Sequence, residues 1–286
     1  MILIGESINI MSKSIGPAIK DKDPRPVQDM AVAQVEGGAD MLDLNLGPAR
    51  KAGDEMMAWL VKTVQEVTDV PLSLDTTNPV AVEAGLRLVK QKALINSVSA
   101  QIERIEATLP LAKKYGANVI CLLLSNEGIP RTADERATVA MDIFMPAAEL
   151  GIPNEDLWVD PIILPASADQ KQLFEAIEFM GILPGLADPP VKSTCGLSNS
   201  SNGTPEKLRT VINQALYIIM ADLGMTSAIV NTLDKEFMAV VRGMDRAGND
   251  KEKYLASLSD EKRTQMEKTF KVLRNEVIYS HSWLEL

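Results

Sequence analysis

The residues that could do chemistry in this chain stand at the ends of short apolar runs. Eight such runs occur: Met1 to Gly5, Ala39 to Asn45, Val70 to Asp75, Ala93 to Ser97, Asn118 to Leu124, Leu157 to Asp160, Ser193 to Leu197 and Met225 to Val230. The first leads into Glu6, the second holds Asp43 and Asn45, the third ends in Asp75 and the fourth holds Asn96. The fifth leads into Ser125 and Asn126, the sixth ends in Asp160, the seventh leads through Gly196 into Ser198 and Asn199, and the eighth leads into Asn231. Every run ends in an acid, an amide or a hydroxyl, and none ends in Lys, Arg, His or Cys. A single polar end is ordinary turn chemistry. Eight together describe a ring of hydrogen-bond acceptors and amides. Such a ring suits a flat heterocycle with NH and NH2 donors, such as a pterin, purine or flavin, because one carboxylate accepts two parallel bonds from an amino-NH edge.

The elements that must position these residues are legible too. The runs are four to seven residues long and near-continuously apolar, as in parallel strands covered on both faces. Between them lie amphipathic segments with helical signals. Pro26 to Glu36 follows Pro24, Glu55 to Val67 is stopped by Pro71, and Pro79 to Lys90 opens on proline. Ile102 to Tyr115 ends at Gly116, and Thr132 to Leu150 ends at Gly151. Ser167 to Met180 follows, and Thr204 to Leu223 ends at Gly224. Eight alternating strand–helix units predict an α/β fold, a (β/α)8 TIM barrel, with the site at the C-terminal ends of the strands. A doubly wound open sheet would carry a glycine-rich phosphate loop after its first strand, where this chain reads GESIN. We expect one barrel domain over residues 1–286. Residues 245–262 read as a polar, exposed insertion, and residues 263–286 as a final helix and tail.

Composition narrows the function. The formal charge is -10, which argues against nucleic acid or an anionic membrane as a partner. No signal peptide and no membrane-length apolar run is evident, so a cytoplasmic location is expected. Two cysteines and one histidine cannot build a zinc site, a disulfide framework or the His cluster of a metal-dependent hydrolase, so no metal site is expected. Cys121 and Cys195 lie within apolar runs and read as small core residues. His281, in the tail, reads as a surface residue. A Schiff-base enzyme needs a strand-end lysine, and Lys192 lies at the wrong end of its run. The GLSNSSNG stretch could donate backbone N–H groups to a phosphate.

Six segments, in order over most of the chain, resemble the pterin-binding methyltransferases that act on methyltetrahydrofolate and a corrinoid. They are IGESIN (Ile4 to Asn9), EGGADMLDLNLGP (Glu36 to Pro48), LSLDTTN (Leu72 to Asn78), INS (Ile95 to Ser97), DPIILPA (Asp160 to Ala166) and GLSNSS (Gly196 to Ser201). The family includes the methyltetrahydrofolate:corrinoid/iron-sulfur protein methyltransferases of acetogens, enzymes of anaerobic demethylation and the folate module of cobalamin-dependent methionine synthase. The resemblance implies a (β/α)8 barrel in which Asp75, Asn96, Asp160 and Asn199 hydrogen-bond the pterin. It places Glu6 and Ser198 in a supporting polar network with Asn45 nearby, and Gly196 among the residues that bind the folate. It also implies a corrinoid (cobalamin) carried on a separate protein, since no cobalamin-binding Asp-x-His-x-x-Gly motif is present, and a homodimer. One departure stands out: the family's first motif is usually Gly-Glu-Arg-x-Asn, and Ser7 replaces the arginine here.

The implied reaction moves a methyl group between N5 of tetrahydrofolate and the cobalt of the corrinoid. N5 is a poor leaving group, so it needs a proton or a strong hydrogen bond by the transition state. No His or Lys is placed to act as acid. Asn199 is the candidate hydrogen-bond partner of N5, with the proton drawn from solvent or a network through Asp160, Ser198 or Glu6. Asn199 and Asp160 are thus the candidate catalytic pair. Three alternatives stay open. A dihydropteroate synthase shares the fold and pterin site but binds pyrophosphate, which calls for basic residues that the seventh and eighth strand-end loops lack. The others are a non-catalytic pterin-binding protein and a phosphate-binding barrel lyase or isomerase.

Overall fold

The computed structural model describes residues 1–49 and 51–285. Eight parallel strands form one sheet: β1 (Ile2–Asn9), β2 (Met41–Gly47), β3 (Leu72–Thr76), β4 (Leu94–Ser99), β5 (Asn118–Leu122), β6 (Leu157–Asp160), β7 (Lys192–Ser193) and β8 (Ser227–Val230). Neighbours in sequence are neighbours in the sheet, and β1 pairs with β8. The seam between β7 and β8 is closed by a parallel bridge between Gly196 and Ile229, with the Ile229 N–H donating to the Cys195 carbonyl at 2.9 Å. The fold is the expected (β/α)8 barrel.

Helices follow the strands: α1 (Gly16–Asp21), α2 (Pro24–Gly37), α3 (Gly53–Gln65), α4 (Pro79–Leu86), α5 (Ile102–Tyr115), α6 (Ala133–Glu149), α7 (Gln170–Ile182), α8 (Glu206–Asp222) and α9 (Lys235–Ala247). After them come α10 (Lys251–Ala256), α11 (Asp260–Leu273) and α12 (His281–Leu284). Their starts obey capping chemistry. Asn78 Oδ1 accepts from Val80 and Ala81 N–H, and Pro79 fills the first helical position of α4. Thr132, Asp169 and Asp234 cap α6, α7 and α9 in the same way.

The strand alternation explains where the core gives way to the site. Ile4, Met41, Leu94, Ile120 and Trp158 form a separate apolar cluster inside the barrel, with Ile2 and Ile229 against it. Two residues further along their strands come Glu6, Asp43, Asn96 and Asp160 from four of these. Side chains two apart on a strand share a face, so apolar filling passes into polar lining along the same inward rows.

Two expectations are corrected, and one helix has no sequence forewarning. The seventh run is a strand only at Lys192–Ser193, because the chain turns into a 3-10 helix at Leu197–Ser201. The short helix α1 carries no strong sequence signal: its N-cap position, Ile15, makes no side-chain cap. The segment 245–262 is not a wholly exposed insertion. It completes α9 and forms α10, whose Tyr254 and Leu255 are buried. The final helix is present as α11, and His281 is exposed.

Candidate functional site

Register brings the residues of β2, β3 and β4 together. Asp43 lies opposite Ser73, Asn45 opposite Asp75, and Asp75 opposite Asn96. Side chains in matching register on adjacent strands are close enough to bond. Ser73 Oγ donates to Asp43 Oδ1 at 2.6 Å, and Asn96 Nδ2 donates to the same oxygen at 3.1 Å. Asn45 Nδ2 donates to Asp75 Oδ2. The carboxyls of Asp43 and Asp75 are themselves hydrogen-bonded. Burial raises the pKa of both, and the Asp43 charge raises Asp75 further, well above the usual carboxylate range. Burial and the closeness of two acids both disfavour ionising the pair together.

The other half of the mouth comes from β1, β6 and the turn after β7. Asp160 is buried at the end of β6, and its carboxyl is pushed up to about 6 by burial, against backbone donors at Ile162 and Gly196 that pull it down. The Ile162 N–H reaches Asp160 Oδ1 at 2.8 Å. Ser198 Oγ donates to Glu6 Oε1 at 2.7 Å, linking the first and seventh strand ends. Burial raises Glu6, and the nearby Asp43 charge raises it too. That electrostatic contact joins the two halves of the mouth.

Asn199 sits in the 3-10 turn, exposed, with its side chain folded over Gly196. A Cβ built on Gly196 would meet Asn199 Nδ2 at 2.8 Å, so the glycine is needed for that close approach. Asn202 Nδ2 donates to Asn199 Oδ1 at 3.3 Å, which leaves the Asn199 amide NH2 pointed away from Asn202. The structure thus links Asn45, Asp75 and Asn96 through Asp43, and Glu6 with Ser198. Asp160 meets the Gly196 backbone, and Asn199 covers that glycine.

Three backbone irregularities deliver these side chains. The β1–β2 register shifts between Gly5 and Ile8, across Glu6 and Ser7. The β2–β3 register shifts between Asn45 and Gly47, and β4–β5 shifts between Ile95 and Val98, across Asn96 and Ser97. Bulges of this kind end pairing and re-aim side chains beside functional sites. At the first, the Ser7 N–H leaves the ladder and donates to Gln34 Oε1 at 2.8 Å.

Asp43, one of the expected strand-end acids, is the hub of the β2–β4 network. One contributor lies outside the strand ends. Arg209 of α8 approaches the turn after β7. Its Nη2 donates to Asn202 Oδ1 at 3.3 Å and its charge lowers Glu6. A cation therefore acts on Glu6, which lacks the usual arginine neighbour, but it comes from a helix rather than a strand end. Ser125 and Asn231 do only turn work: Ser125 Oγ donates to Gly128 O, and Asn231 Oδ1 accepts from the Leu233 N–H. Cys121 and Cys195 are fully buried among apolar residues, and burial pushes the Cys121 thiol up to about 12.

Buried acids and amides thus gather at the strand ends, with an exposed asparagine over a glycine. Residues 5–231 match the family described as pterin binding enzyme. The chain belongs to the pterin-binding enzyme family. It is 28% identical over 256 residues to a methylcorrinoid:tetrahydrofolate methyltransferase of Eubacterium limosum, covering 88% of this chain and 93% of that protein. It is 28% identical over 241 residues to a methionine synthase of Mycobacterium leprae, covering 81% of this chain but only 20% of that longer protein. Among solved structures it resembles a Xanthomonas albilineans dihydropteroate synthase with 4-aminobenzoic acid. The TM-score is 0.62 at 19% identity, covering 86% of this chain and 92% of that one. A Yersinia pestis dihydropteroate synthase gives a TM-score of 0.62 at 18% identity, covering 86% and 93%. These structural likenesses show the barrel fold. The resemblance drawn from the six strand-end motifs and these relatives point to one family. No described helix of this pterin-binding enzyme is long and apolar enough to cross a membrane.

Proposed function

We propose that this enzyme is a methyltransferase that moves a methyl group between N5 of tetrahydrofolate and the cobalt of a corrinoid held by a partner protein. The observation that carries the reading is the joined acid–amide network of Asp43, Asn45, Asp75 and Asn96 facing Asp160, Gly196 and Asn199. It offers both acceptors and donors to a pterin edge. The likeness to the methylcorrinoid:tetrahydrofolate methyltransferase over nearly the whole of both chains supports the reaction class.

In this reading Asp75 and Asn96 hold the amino-pyrimidine edge, and Asn45 and Asp43 hold Asp75 in place. Asp160 takes a second ring position, and its pKa near neutrality lets it share a proton with the ring. Asn199 extends its amide towards N5. A hydrogen bond there stabilises the nitrogen as its bond to the methyl group changes, which is worth most in the transition state. An amide donates no net proton at neutral pH, so the proton comes from solvent or from the Asp160 and Glu6–Ser198 groups. The corrinoid supplies the cobalt that takes or gives the methyl group. The chain carries no Asp-x-His-x-x-Gly motif, so in this reading the corrinoid arrives as a substrate on a partner. We further expect a homodimer in the cytoplasm of an organism with anaerobic one-carbon metabolism.

The test is anaerobic mixing of the protein with methyltetrahydrofolate and Co(I) cobalamin, following loss of the Co(I) absorbance. Protein-dependent transfer is the expected result. Condensation of a pterin pyrophosphate with 4-aminobenzoate, in place of methyl transfer, would replace this reading with that of a synthase.

A further inference from the structure

Arg136 is fully buried in the first turns of α6, yet its hydrogen-bond partners are all neutral. Nε donates to the Pro161 carbonyl at 3.0 Å, Nη2 to Gln172 Oε1 at 2.9 Å, and Nη1 to the Thr132 carbonyl at 3.4 Å. It also lies at the N-terminal ends of α6 and α7, whose dipoles disfavour a cation. The charges of Glu175, Glu135 and Asp169 offset part of the burial cost, yet every hydrogen bond of the guanidinium goes to a neutral oxygen. Its partner Pro161 immediately follows Asp160. The Pro161 carbonyl and the Ile162 N–H belong to one peptide unit, which is planar, and in its trans form they point in opposite directions. One end of that plane is bonded to Arg136, and the other donates to Asp160 Oδ1 at 2.8 Å. Ile162 sits at φ 65°, in the left-handed region that a β-branched residue avoids, so the turn is held against its own preference.

We propose that Arg136 is a positioning residue that fixes the Asp160 carboxyl through the Pro161–Ile162 peptide plane. The role of Asp160 in folate chemistry rests on the function proposed above, but the positioning does not. Without Arg136, the strain at Ile162 turns the plane and withdraws its N–H from Asp160. Loss of a donor to a carboxylate raises its pKa. Gln172, at the start of α7, anchors the other side of the guanidinium, so two helices and a strand end converge on this one plane.

The experiment follows the Asp160 carboxyl by 13C NMR titration in the ligand-free protein. Arg136→Met should move the Asp160 midpoint upward from about 6 by roughly one pH unit. Ile162→Gly alone should leave it in place, and Ile162→Gly added to Arg136→Met should return it towards the starting value, because glycine removes the strain that turns the plane. A merely structural arginine would lower thermal stability without this pattern. A folded Arg136→Met with an unmoved midpoint overturns the proposal. If that variant does not fold, Arg136→Lys, which keeps one donor and loses the fork, should give a smaller upward shift, and no shift overturns it equally. Failure of the wild-type protein to bind tetrahydrofolate, with these shifts present, would refute the folate reading and leave the positioning role standing.

Discussion

The carboxyls of Asp43 and Asp75, on adjacent strands β2 and β3, are buried together and both raised above the usual carboxylate range, Asp75 the more so because of the Asp43 charge. Asn96 and Ser73 donate to Asp43, and Asn45 donates to Asp75, so the surroundings hold the pair in one orientation. Asp75 is thereby kept in a fixed place with its ionisation disfavoured by burial and by the Asp43 charge.

Asp75→Ala is expected to weaken tetrahydrofolate binding by roughly ten- to a hundred-fold, in line with ~1–3 kcal/mol for a buried polar contact left unpaired. Isothermal titration calorimetry measures it. Thermal stability should change little, because the variant removes a carboxyl whose burial is unfavourable but leaves the Asn45 amide without its partner. Wild-type affinity in Asp75→Ala would remove the pair from ligand recognition.

Asn199→Ala should slow methyl transfer by tens-fold or more, since a hydrogen bond realised in the transition state is worth ~1–3 kcal/mol. Asn199 is exposed and its side chain bonds only Asn202 among the described residues, so melting temperature should barely change. Single-turnover kinetics with methyltetrahydrofolate separate the two effects. Unchanged kinetics would exclude Asn199 from the chemistry.

Gly196→Ala tests the same turn from below. Its Cβ would stand 2.8 Å from Asn199 Nδ2, a distance that forces the amide to move. The backbone of Gly196, at φ -74°, accommodates alanine without strain. The expected variant is therefore stable, with transfer slowed in the manner of Asn199→Ala and tetrahydrofolate binding less affected. A variant as active as wild type would show that the position of Asn199 over Gly196 is not the reactive one.

The strand ends were legible because inward polar residues follow apolar ones along the same strands, as Glu6 follows Ile4 and Asp160 follows Trp158. What was not legible depends on register. Asp43 looks like any strand acid until β3 and β4 place Ser73 and Asn96 against it. Arg136 reads as a surface charge in a helix rich in Asp and Glu, and only the packing of α6 against α7 and the β6 turn buries it. The run Ser193 to Leu197 outlasts the seventh strand because Thr194, Cys195 and Leu197 stay buried after the ladder ends, before the chain turns into the 3-10 helix. The segment 245–262 is polar in sequence, yet its two large apolar residues, Tyr254 and Leu255, are adjacent and both buried in α10.

The pH dependence of stability follows from the raised carboxyls. Asp160 titrates near 6 in the folded chain and near its ordinary value of 3.8 when unfolded. Below about 4 both states are protonated and the group has no net effect. As pH rises from there to about 6, the unfolded chain releases the proton while the native chain keeps it, so stability falls over that window and stays lower above it. A shift of about two pH units corresponds to at most ~3 kcal/mol. Glu6, Asp43 and Asp75 are raised as well and act with the same sign. Glu83, held down to about 2 by Lys114 and Tyr115, acts oppositely, losing its contribution as pH falls through the acid range. The melting temperature should therefore be higher near pH 5 than near pH 8. Asp160→Asn should raise it by several degrees at pH 8, where the charge is removed, and change it little at pH 4. Differential scanning calorimetry of both proteins across that range checks the sign. A variant stabilised equally at pH 4 and pH 8 would show that ionisation of Asp160 is not the source of the cost.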